Sequence, residues 1–363
     1  MQFRSIRKWA AIACLGIAVG LSAVGCGDDE VVNPEPAGPD GRLYVLNQTD
    51  NTIYVYDTHT LTRIDSIHSV IAQPHYIEFA PDGQKFYVTT LETGGRFARF
   101  TATGNVFDTA VSVPGAVQPS AIAITADNQF GYICNFSSPT AASEIHKYDL
   151  TTMQWVAKFQ AGIITHDIKA TSDGRVIIAC NRNTDNLTLI YPDADTVWFV
   201  NMDPAGPTLN TYGPFGVAID HKDSLAFIAC MDALQVRVLD IDARTIVDSI
   251  DIPVNTAGKI IAGPTLMTVS PDDDVVFVST RQGNSVVVFR VSTRQILADI
   301  PLAIPNPFGI TMSDDGSRVY VACVNTPLEK RGRVYVIDGN SYVKTDSIDV
   351  GLHSFGLIWR PAP

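Results

Sequence analysis

The segment PHYIEFAPDGQKFYVTT, residues 74–90, decides the fold, because its pattern returns along the rest of the chain. It holds two short runs, PHYIEFA at 74–80 and KFYVTT at 85–90, that look like β-strands. Both runs are rich in aromatic and β-branched side chains, as β-strands are. The Pro-Asp-Gly between them favours a tight turn. The segment therefore predicts a hairpin of two β-strands.

More copies of this hairpin follow along the sequence. Five are continuous: PSAIAITADNQFGYICN at 119–135, THDIKATSDGRVIIACN at 165–181, PFGVAIDHKDSLAFIACM at 214–231, PTLMTVSPDDDVVFVST at 264–280 and PFGITMSDDGSRVYVAC at 307–323. Another copy is split, with its first strand in SFGLIWRPAP at 354–363 and its second in PDGRLYVLN at 39–47. A regular period of this size indicates a repeat architecture.

One residue near the start of each copy serves as a marker of the repeat. The seven marker residues are His75, Ser120, His166, Phe215, Thr265, Phe308 and Phe355, and their successive spacings are 45, 46, 49, 50, 43 and 47 residues. Each copy is followed by two more strand-like runs, as in NTIYVYDTHTLTRIDSI at 51–67. Seven repeats of four strands predict an all-β fold, a seven-bladed β-propeller over residues 39–363. The split copy predicts that the C-terminal strand pairs with the N-terminal strands and closes the ring.

The second strands of the repeats carry a family resemblance. LYVLN at 43–47, FYVTT at 86–90, GYICN at 131–135 and VYVAC at 319–323 follow Pro-Asp-Gly or a variant of it. They resemble the YVTN-type propeller repeats of bacterial and archaeal surface proteins, and the resemblance covers residues 39–363. It implies the propeller fold, but it does not choose a chemistry, because propellers serve as binding scaffolds, lactonases and redox proteins alike.

The N-terminal segment has the pattern of an export signal. Arg4, Arg7 and Lys8 precede an apolar run over 9–25, which is typical of a secretory signal peptide, with an uncleaved membrane anchor as the alternative. LSAVGC at 21–26 resembles the bacterial lipoprotein box, although Ala23 stands where the family usually has leucine. The resemblance implies that Cys26 is lipidated and becomes the mature N-terminus.

A short tether is expected between this cysteine and the propeller. Residues 27–30, GDDE, resemble the acidic tags that send some lipoproteins to the surface of Gram-negative cells, and the following residues are rich in proline. The sequence thus predicts a signal peptide at 1–25, a lipidated cysteine and flexible tether at 26–38, and the propeller at 39–363. The expected location is the cell envelope, anchored to the membrane by lipid, with exposure on the outer membrane surface left open.

The charge of the chain limits its partners. The formal net charge is -12, and removing residues 1–25 removes three basic residues and no acidic one, which leaves -15. A protein this acidic is a poor partner for nucleic acid or for an anionic membrane surface. We therefore expect no nucleic-acid partner and contact with the membrane only through the lipid. The expected partner is a protein, peptide or glycan at the loop-bearing face of a monomeric propeller, and no cofactor is predicted.

Histidines and phenylalanines are the candidate ligand-binding residues. His75 and His166 share the marker position, and His353 lies two residues before it, so all three are expected at one mouth of the central channel. They are interpreted either as polar residues of the mouth or, as in some redox propellers, as ligands of copper or zinc, with Glu78 and Asp167 as further contributors. Phe215, Phe308 and Phe355 belong to the same mouth. They form either an apolar rim for a ligand or part of the core.

The buried strands and the variable loops complete the set of candidates. Four cysteines in second strands are expected to pack between blades, with a disulfide left open: Cys134, Cys180, Cys230 and Cys323. The loops that join second to third strands vary most at 135–144, 324–333 and 90–96, and recognition is usually placed on such loops. Lys330, Arg331 and Arg333 add a basic spot to one of them.

Two functions from different classes remain open. The sequence contains no GxSxG, HExxH, CxxCH or phosphate-binding glycine motif. The lipoprotein box, the regular blades and the lack of a convergent catalytic set favour a non-catalytic lipoprotein that binds its partner at the loop-bearing face. The alternative is an enzyme in the channel mouth, either a metal-dependent, lactonase-like hydrolase or a copper redox protein.

Overall fold

A computed structural model describes residues 39–68, 70–92, 94–115, 118–136, 139–253, 263–324 and 331–362. These residues form seven four-stranded antiparallel sheets and one short 3-10 turn at Thr103–Asn105. No helix among them is long and apolar enough to cross a membrane. The all-β, seven-bladed propeller predicted from the repeat is confirmed.

The strands follow the repeat in chain order. Blade 1 contains β1 (Gly41–Asn47), β2 (Thr52–Asp57) and β3 (Thr62–His68); blade 2 contains β4 (Pro74–Phe79), β5 (Lys85–Thr90), β6 (Arg96–Thr101) and β7 (Val106–Ser112). Blade 3 contains β8 (Pro119–Ile124), β9 (Phe130–Asn135), β10 (Ala142–Asp149) and β11 (Gln154–Ile163); blade 4 contains β12 (Thr165–Ala170), β13 (Ile177–Asn181), β14 (Asn186–Tyr191) and β15 (Thr196–Asn201). Blade 5 contains β16 (Pro214–Ile219), β17 (Leu225–Cys230), β18 (Gln235–Asp240) and β19 (Thr245–Asp251); blade 6 contains β20 (Pro264–Val269), β21 (Val275–Thr280), β22 (Ser285–Arg290) and β23 (Ile296–Pro301). Blade 7 contains β24 (Pro307–Met312), β25 (Arg318–Cys323), β26 (Arg333–Asp338) and β27 (Lys344–Asp349), and the last strand is β28 (Ser354–Pro361).

Burial changes across each blade from the channel to the rim. All six residues of the second strand β21 are buried, whereas the outer strand β3 has no buried residue. Second strands lie in the middle of a sheet with both faces covered by neighbouring blades, and so they are nearly continuous apolar runs. Outer strands have one edge and much of their surface in solvent.

The apolar core lies between neighbouring blades. Between blades 4 and 5, for example, Ile178 and Leu187 pack in one cluster with Val217, Ile228 and Leu239, and all five are buried. Burying such side chains contributes roughly 1.5–3 kcal/mol each relative to leaving them exposed. Every blade therefore depends on its two neighbours for burial, as expected of a repeat fold.

The ring is closed within blade 1, where β28 lies innermost. The strand order of this sheet is β28-β1-β2-β3, and Leu43 pairs with Trp359. Trp359 is buried, and its Nε1 donates a hydrogen bond to Thr58 Oγ1 at 3.3 Å. The indole occupies the space where a Cβ on Gly41 would lie, so this position requires glycine. The predicted pairing of the C-terminal strand with N-terminal strands is confirmed.

A repeated backbone hydrogen bond ties the loops to the channel mouth. In each blade the N–H of the residue that follows the second strand donates to the carbonyl of a residue just before the innermost strand. The seven pairs are Gln48 to His353, Leu91 to Gln73, Phe136 to Gln118, Arg182 to Ile164, Met231 to Gly213, Arg281 to Gly263 and Val324 to Asn306, with N···O distances of 2.7–3.1 Å. The seven donor residues form a ring around the mouth, which we call the collar.

Candidate functional site

The seven marker residues lie at one mouth of the channel, where every innermost strand is irregular. The pairing of the first two strands shifts register at this point in each blade, as between Pro74 and Tyr76 in blade 2 and between Pro214 and Gly216 in blade 5. Such bulges re-aim side chains. As a result, His75 and Tyr76, adjacent in sequence, both line the channel cavity.

Five of the marker residues pack as one aromatic cluster across the mouth. The ring centroids are 3.6 Å apart for His166 and Phe215, 3.6 Å for Phe308 and Phe355, and 5.6 Å for Phe215 and Phe308. His75 lies 4.3 Å from Phe355 and 6.0 Å from His166. Phe215 and Phe308 are buried against Met231 and Val324, whereas Phe355 is partly exposed. The two buried rings thus take part in core packing, and an exposed apolar rim would have to be built around Phe355.

The three histidines differ in their surroundings. Burial lowers the pKa of His75 to about 3 and holds the pKa of His166 well below its usual value, so both rings are neutral near pH 7. His75 Nδ1 lies 3.2 Å from Gln48 Nε2. His353 is half-buried and lies parallel to Phe355 at 6.1 Å, and its pKa is lowered by burial and by Arg281.

The structure brings His75 and His166 close together, although they come from blades 2 and 4. Neutral imidazoles are good metal ligands, but a catalytic zinc site needs three protein ligands. Within the parts of the chain that the structure describes, no group of three or more His, Cys, Asp and Glu side chains is placed to hold a metal ion. These residues therefore give the mouth aromatic packing and two neutral imidazole rings.

Beneath the aromatic cluster, the channel contains a cavity of about 300 Å³ with a charged wall. Lys169 Nζ lies 2.7 Å from Glu78 Oε2, and Tyr76 donates a longer hydrogen bond of 3.5 Å to the same oxygen. Asp167 is buried and accepts hydrogen bonds from the backbone N–H groups of Ile168 and Val217. Burial raises the pKa of Asp167 to about 6, and Lys169 opposes that rise.

Sequence reasoning found half of this charged wall. It named Glu78 and Asp167 and missed Tyr76 and Lys169. The signal was present, since each missed residue is two positions from a named one, and residues two apart on a strand share a face.

A second concave site lies on the loop-bearing face, between blades 7 and 1. It has a volume of about 490 Å³, and we call it the blade 7–1 groove. Its lining is Asp50, Tyr54, Tyr56, Arg63, Arg331, Asp349, Val350, Gly351 and Leu352. The guanidinium of Arg63 lies 4.4 Å from the centre of the Tyr54 ring, and Arg333 pairs with Asp349 at 2.8 Å. The groove combines aromatic faces with charges of both signs.

The predicted variable loops border this face. Arg331, from the 324–333 loop, lines the blade 7–1 groove, while Lys330 lies outside the described residues. In the 135–144 loop, Phe136 lies 5.8 Å from His166, centre to centre. In the 90–96 loop, Arg96 pairs with Glu92. Two of the three loops therefore place a described side chain at the groove or at the mouth.

The four cysteines of the second strands do not line the channel cavity or the blade 7–1 groove. Cys134, Cys180, Cys230 and Cys323 are buried in blades 3, 4, 5 and 7. Burial raises the pKa of the Cys134, Cys180 and Cys230 thiols, to about 12 for Cys230, which keeps them protonated. Cys26 lies outside the described residues.

Comparisons with known proteins bear on the fold. No protein-family model and no curated protein matches the chain. A functionally unknown protein from Desulfotomaculum acetoxidans DSM 771 is similar in structure, with 13% sequence identity and a TM-score of 0.71 over 89% of this chain and 100% of that one. Kuenenia stuttgartiensis hydrazine synthase is also similar, with 17% identity and a TM-score of 0.64 over 80% of this chain and 91% of that one. At such low identities the likeness shows the fold alone.

Proposed function

We propose that this chain is a YVTN-type propeller lipoprotein of the cell envelope that binds a protein, peptide or glycan without catalysis. In this proposal residues 1–25 are removed as a signal peptide, Cys26 is lipidated, and residues 26–38 hold a monomeric propeller away from the membrane. The repeat at 39–363 and the lipoprotein box at 21–26 support it. Acidic GDDE at 27–30 favours display at the cell surface.

The blade 7–1 groove is the observation that carries the binding function. Tyrosine rings supply broad apolar contact together with a polar hydroxyl, and they immobilise few rotatable bonds when a partner binds. Tyr54 is partly exposed in the groove, and Arg63, Arg331 and Asp50 surround it with groups that form hydrogen bonds. A peptide or a glycan, each of which combines apolar surface with hydrogen-bonding groups, suits such a lining. The nearby 324–333 loop adds variable contacts.

Glycan and peptide arrays test this function. The wild-type protein should bind a defined class of array members. Tyr54→Ala and Arg331→Ala should each weaken that binding about tenfold or more, the size of effect seen at important contact residues. Replacing 135–144 and 324–333 by short turns should abolish it. Trp198→Ala is the matched control, because Trp198 is an exposed aromatic residue on the outer rim.

Folding must be checked in each variant by circular dichroism and thermal melting. If binding survives both loop replacements and Tyr54→Ala in folded protein, the assignment to the loop-bearing face is wrong. If the Trp198 variant loses binding as well, the rim takes part and the groove is not the whole site.

A channel enzyme is the second candidate, and the charged cavity is the observation that favours it. Burial raises the pKa of Asp167 to about 6, and Asp167 lines the same cavity as Lys169; perturbed acids in cavities are typical of catalytic sites. A metal-dependent hydrolase or a copper protein would use His75 and His166, with His353 nearby.

Elemental analysis of the protein, purified without chelator or affinity metal, tests this second candidate. A metal present in stoichiometric amount and lost from the His75→Ala/His166→Ala double variant would favour it. A binding scaffold predicts no stoichiometric metal and unchanged array binding in the folded double variant.

A further inference from the structure

The collar has two charged members in an otherwise uncharged ring. The seven residues are Gln48, Leu91, Phe136, Arg182, Met231, Arg281 and Val324, equivalent by their shared backbone hydrogen bond. Arg182 comes from blade 4 and Arg281 from blade 6, on either side of Met231 in blade 5. Neither arginine is needed for the backbone bond, since uncharged residues make it in the other five blades. Their side chains therefore call for another explanation.

Arg281 has no acidic partner in the described structure, although the chain carries a formal charge of -12. Its guanidinium lies 5.7 Å from the centre of the Phe308 ring, at the edge of the aromatic cluster. Arg281 is exposed to solvent, and partial desolvation of its guanidinium and the like charge of Arg182 both lower its pKa, with no carboxylate among the described residues acting against them. An arginine without an acidic partner is attracted to any anion that reaches it.

Two further polar atoms near Arg281 also lack a partner within the described ranges. Arg182 pairs with Asp232 through Nη2 at 3.1 Å, but its Nε is buried without a hydrogen bond. His166 is only 7% exposed, and its Nδ1 is buried without a hydrogen bond of good geometry, although the ring also interacts with the Phe215 backbone. Both arginines influence the pKa of His166, which places the three groups around one region of the mouth. Leaving a buried polar group without a hydrogen bond is unfavourable, so a ligand that satisfies these atoms would bind favourably.

We propose that the channel mouth binds a carboxylate group, held between Arg281 and Arg182 with His166 beneath it. A carboxylate has two oxygens that can accept from a guanidinium in a planar, two-bonded arrangement, which is the pairing that arginine favours. Phe308 supplies an apolar wall beside it. The carboxylate comes either from a free organic acid or from an acidic side chain or C-terminus of a polypeptide. This site is separate from the blade 7–1 groove and does not depend on the function proposed there.

Calorimetric titration and thermal melting of the full-length protein test the proposal. The probes are succinate, its neutral diamide and polyglutamate, at low and at high sodium chloride. Succinate, polyglutamate or both should bind the wild type and raise its melting temperature, and the diamide should do neither. Arg281→Gln should weaken binding about tenfold or more, because hydrogen bonds between charged groups are among the strongest in proteins. High salt should weaken it as well.

Arg244→Gln is the matched control. Arg244 also lies over an aromatic ring, 4.1 Å from the centre of Trp198, but on the outer rim. Its variant should bind the anions like wild type. Binding of polyglutamate alone would identify a polypeptide as the source of the carboxylate. The proposal is overturned if neither anion binds, or if wild type, Arg281→Gln and Arg244→Gln respond equally. Array binding at the groove should persist in Arg281→Gln, so failure here is distinguishable from failure of the proposed function.

Discussion

At the scale of single residues, the marker position is occupied by three kinds of side chain around the mouth. The marker residues are phenylalanine in blades 1, 5 and 7, histidine in blades 2 and 4, and serine or threonine in blades 3 and 6. Their shared position could be predicted from the repeat, because the period is nearly constant. Their packing could not, because the contacts of His75 and His166 across the mouth join blades that are not neighbours.

His75 should make the protein sensitive to acid. Its pKa of about 3 in the folded protein lies below the ordinary value of 6.5. Its stabilising contribution is therefore complete above pH 6.5 and is lost as pH falls, because only the unfolded chain takes up the proton. Between pH 7 and pH 5 this loss is about 2 kcal/mol, at about 1.4 kcal/mol per pH unit.

His75→Phe should remove the part of the pH dependence of the unfolding free energy that His75 causes. It should keep the fold, since phenylalanine occupies the same position in three other blades. Urea unfolding at both pH values gives the two free energies of unfolding. His68→Phe, on the exposed face of β3, is the control and should follow wild type. Equal losses in the wild type and the His75 variant would show that His75 is not held neutral by the fold.

At the scale of strands, the alternating segments predicted the blades well, since strand-forming residues and turn residues occur in the same order in each repeat. The bulges at the marker residues were not predicted. A bulge inserts one residue without changing the apolar pattern enough to be seen, yet it turns both His75 and Tyr76 to the channel. The groove was missed for a different reason: β2, β3 and the 349–352 segment meet only after the ring closes.

Closure by β28 should contribute strongly to stability. Deleting residues 353–363 removes the innermost strand of blade 1 and exposes Leu43 and Val45, both fully buried in the intact ring. We expect a large fall in melting temperature and loss of a cooperative transition. A truncated protein that melts at the wild-type temperature would refute this role of β28.

A single substitution tests the same closure with a smaller change than the deletion of β28. Trp359→Ala should lower the free energy of unfolding by about 3–5 kcal/mol, the usual range for truncating a large buried aromatic side chain. Trp198→Ala, at a side chain that is 51% exposed, should cost less than about 1 kcal/mol. Urea unfolding of both variants measures the difference. Similar small losses of unfolding free energy at the two positions would mean that the packing of Trp359 does not stabilise the closed ring.

At the scale of the whole molecule, the closed ring has two distinct concave regions, the channel and the loop-bearing face. The channel holds a charged wall beneath packed aromatic rings, and the loop-bearing face holds the blade 7–1 groove and the arginines of the collar. The repeat predicted which face carries the variable loops. It could not predict which loops form a groove, because that depends on side chains such as Tyr54 and Arg331, which lie far apart in sequence and meet across the split blade.

The most direct test of the account is hydrogen–deuterium exchange of the full-length protein with and without a ligand identified on the arrays. Binding at the blade 7–1 groove predicts slower exchange in residues 50–56 and 349–352, with little change in the innermost strands 74–79 and 165–170. Slower exchange confined to those innermost strands would contradict the account and place the function inside the channel.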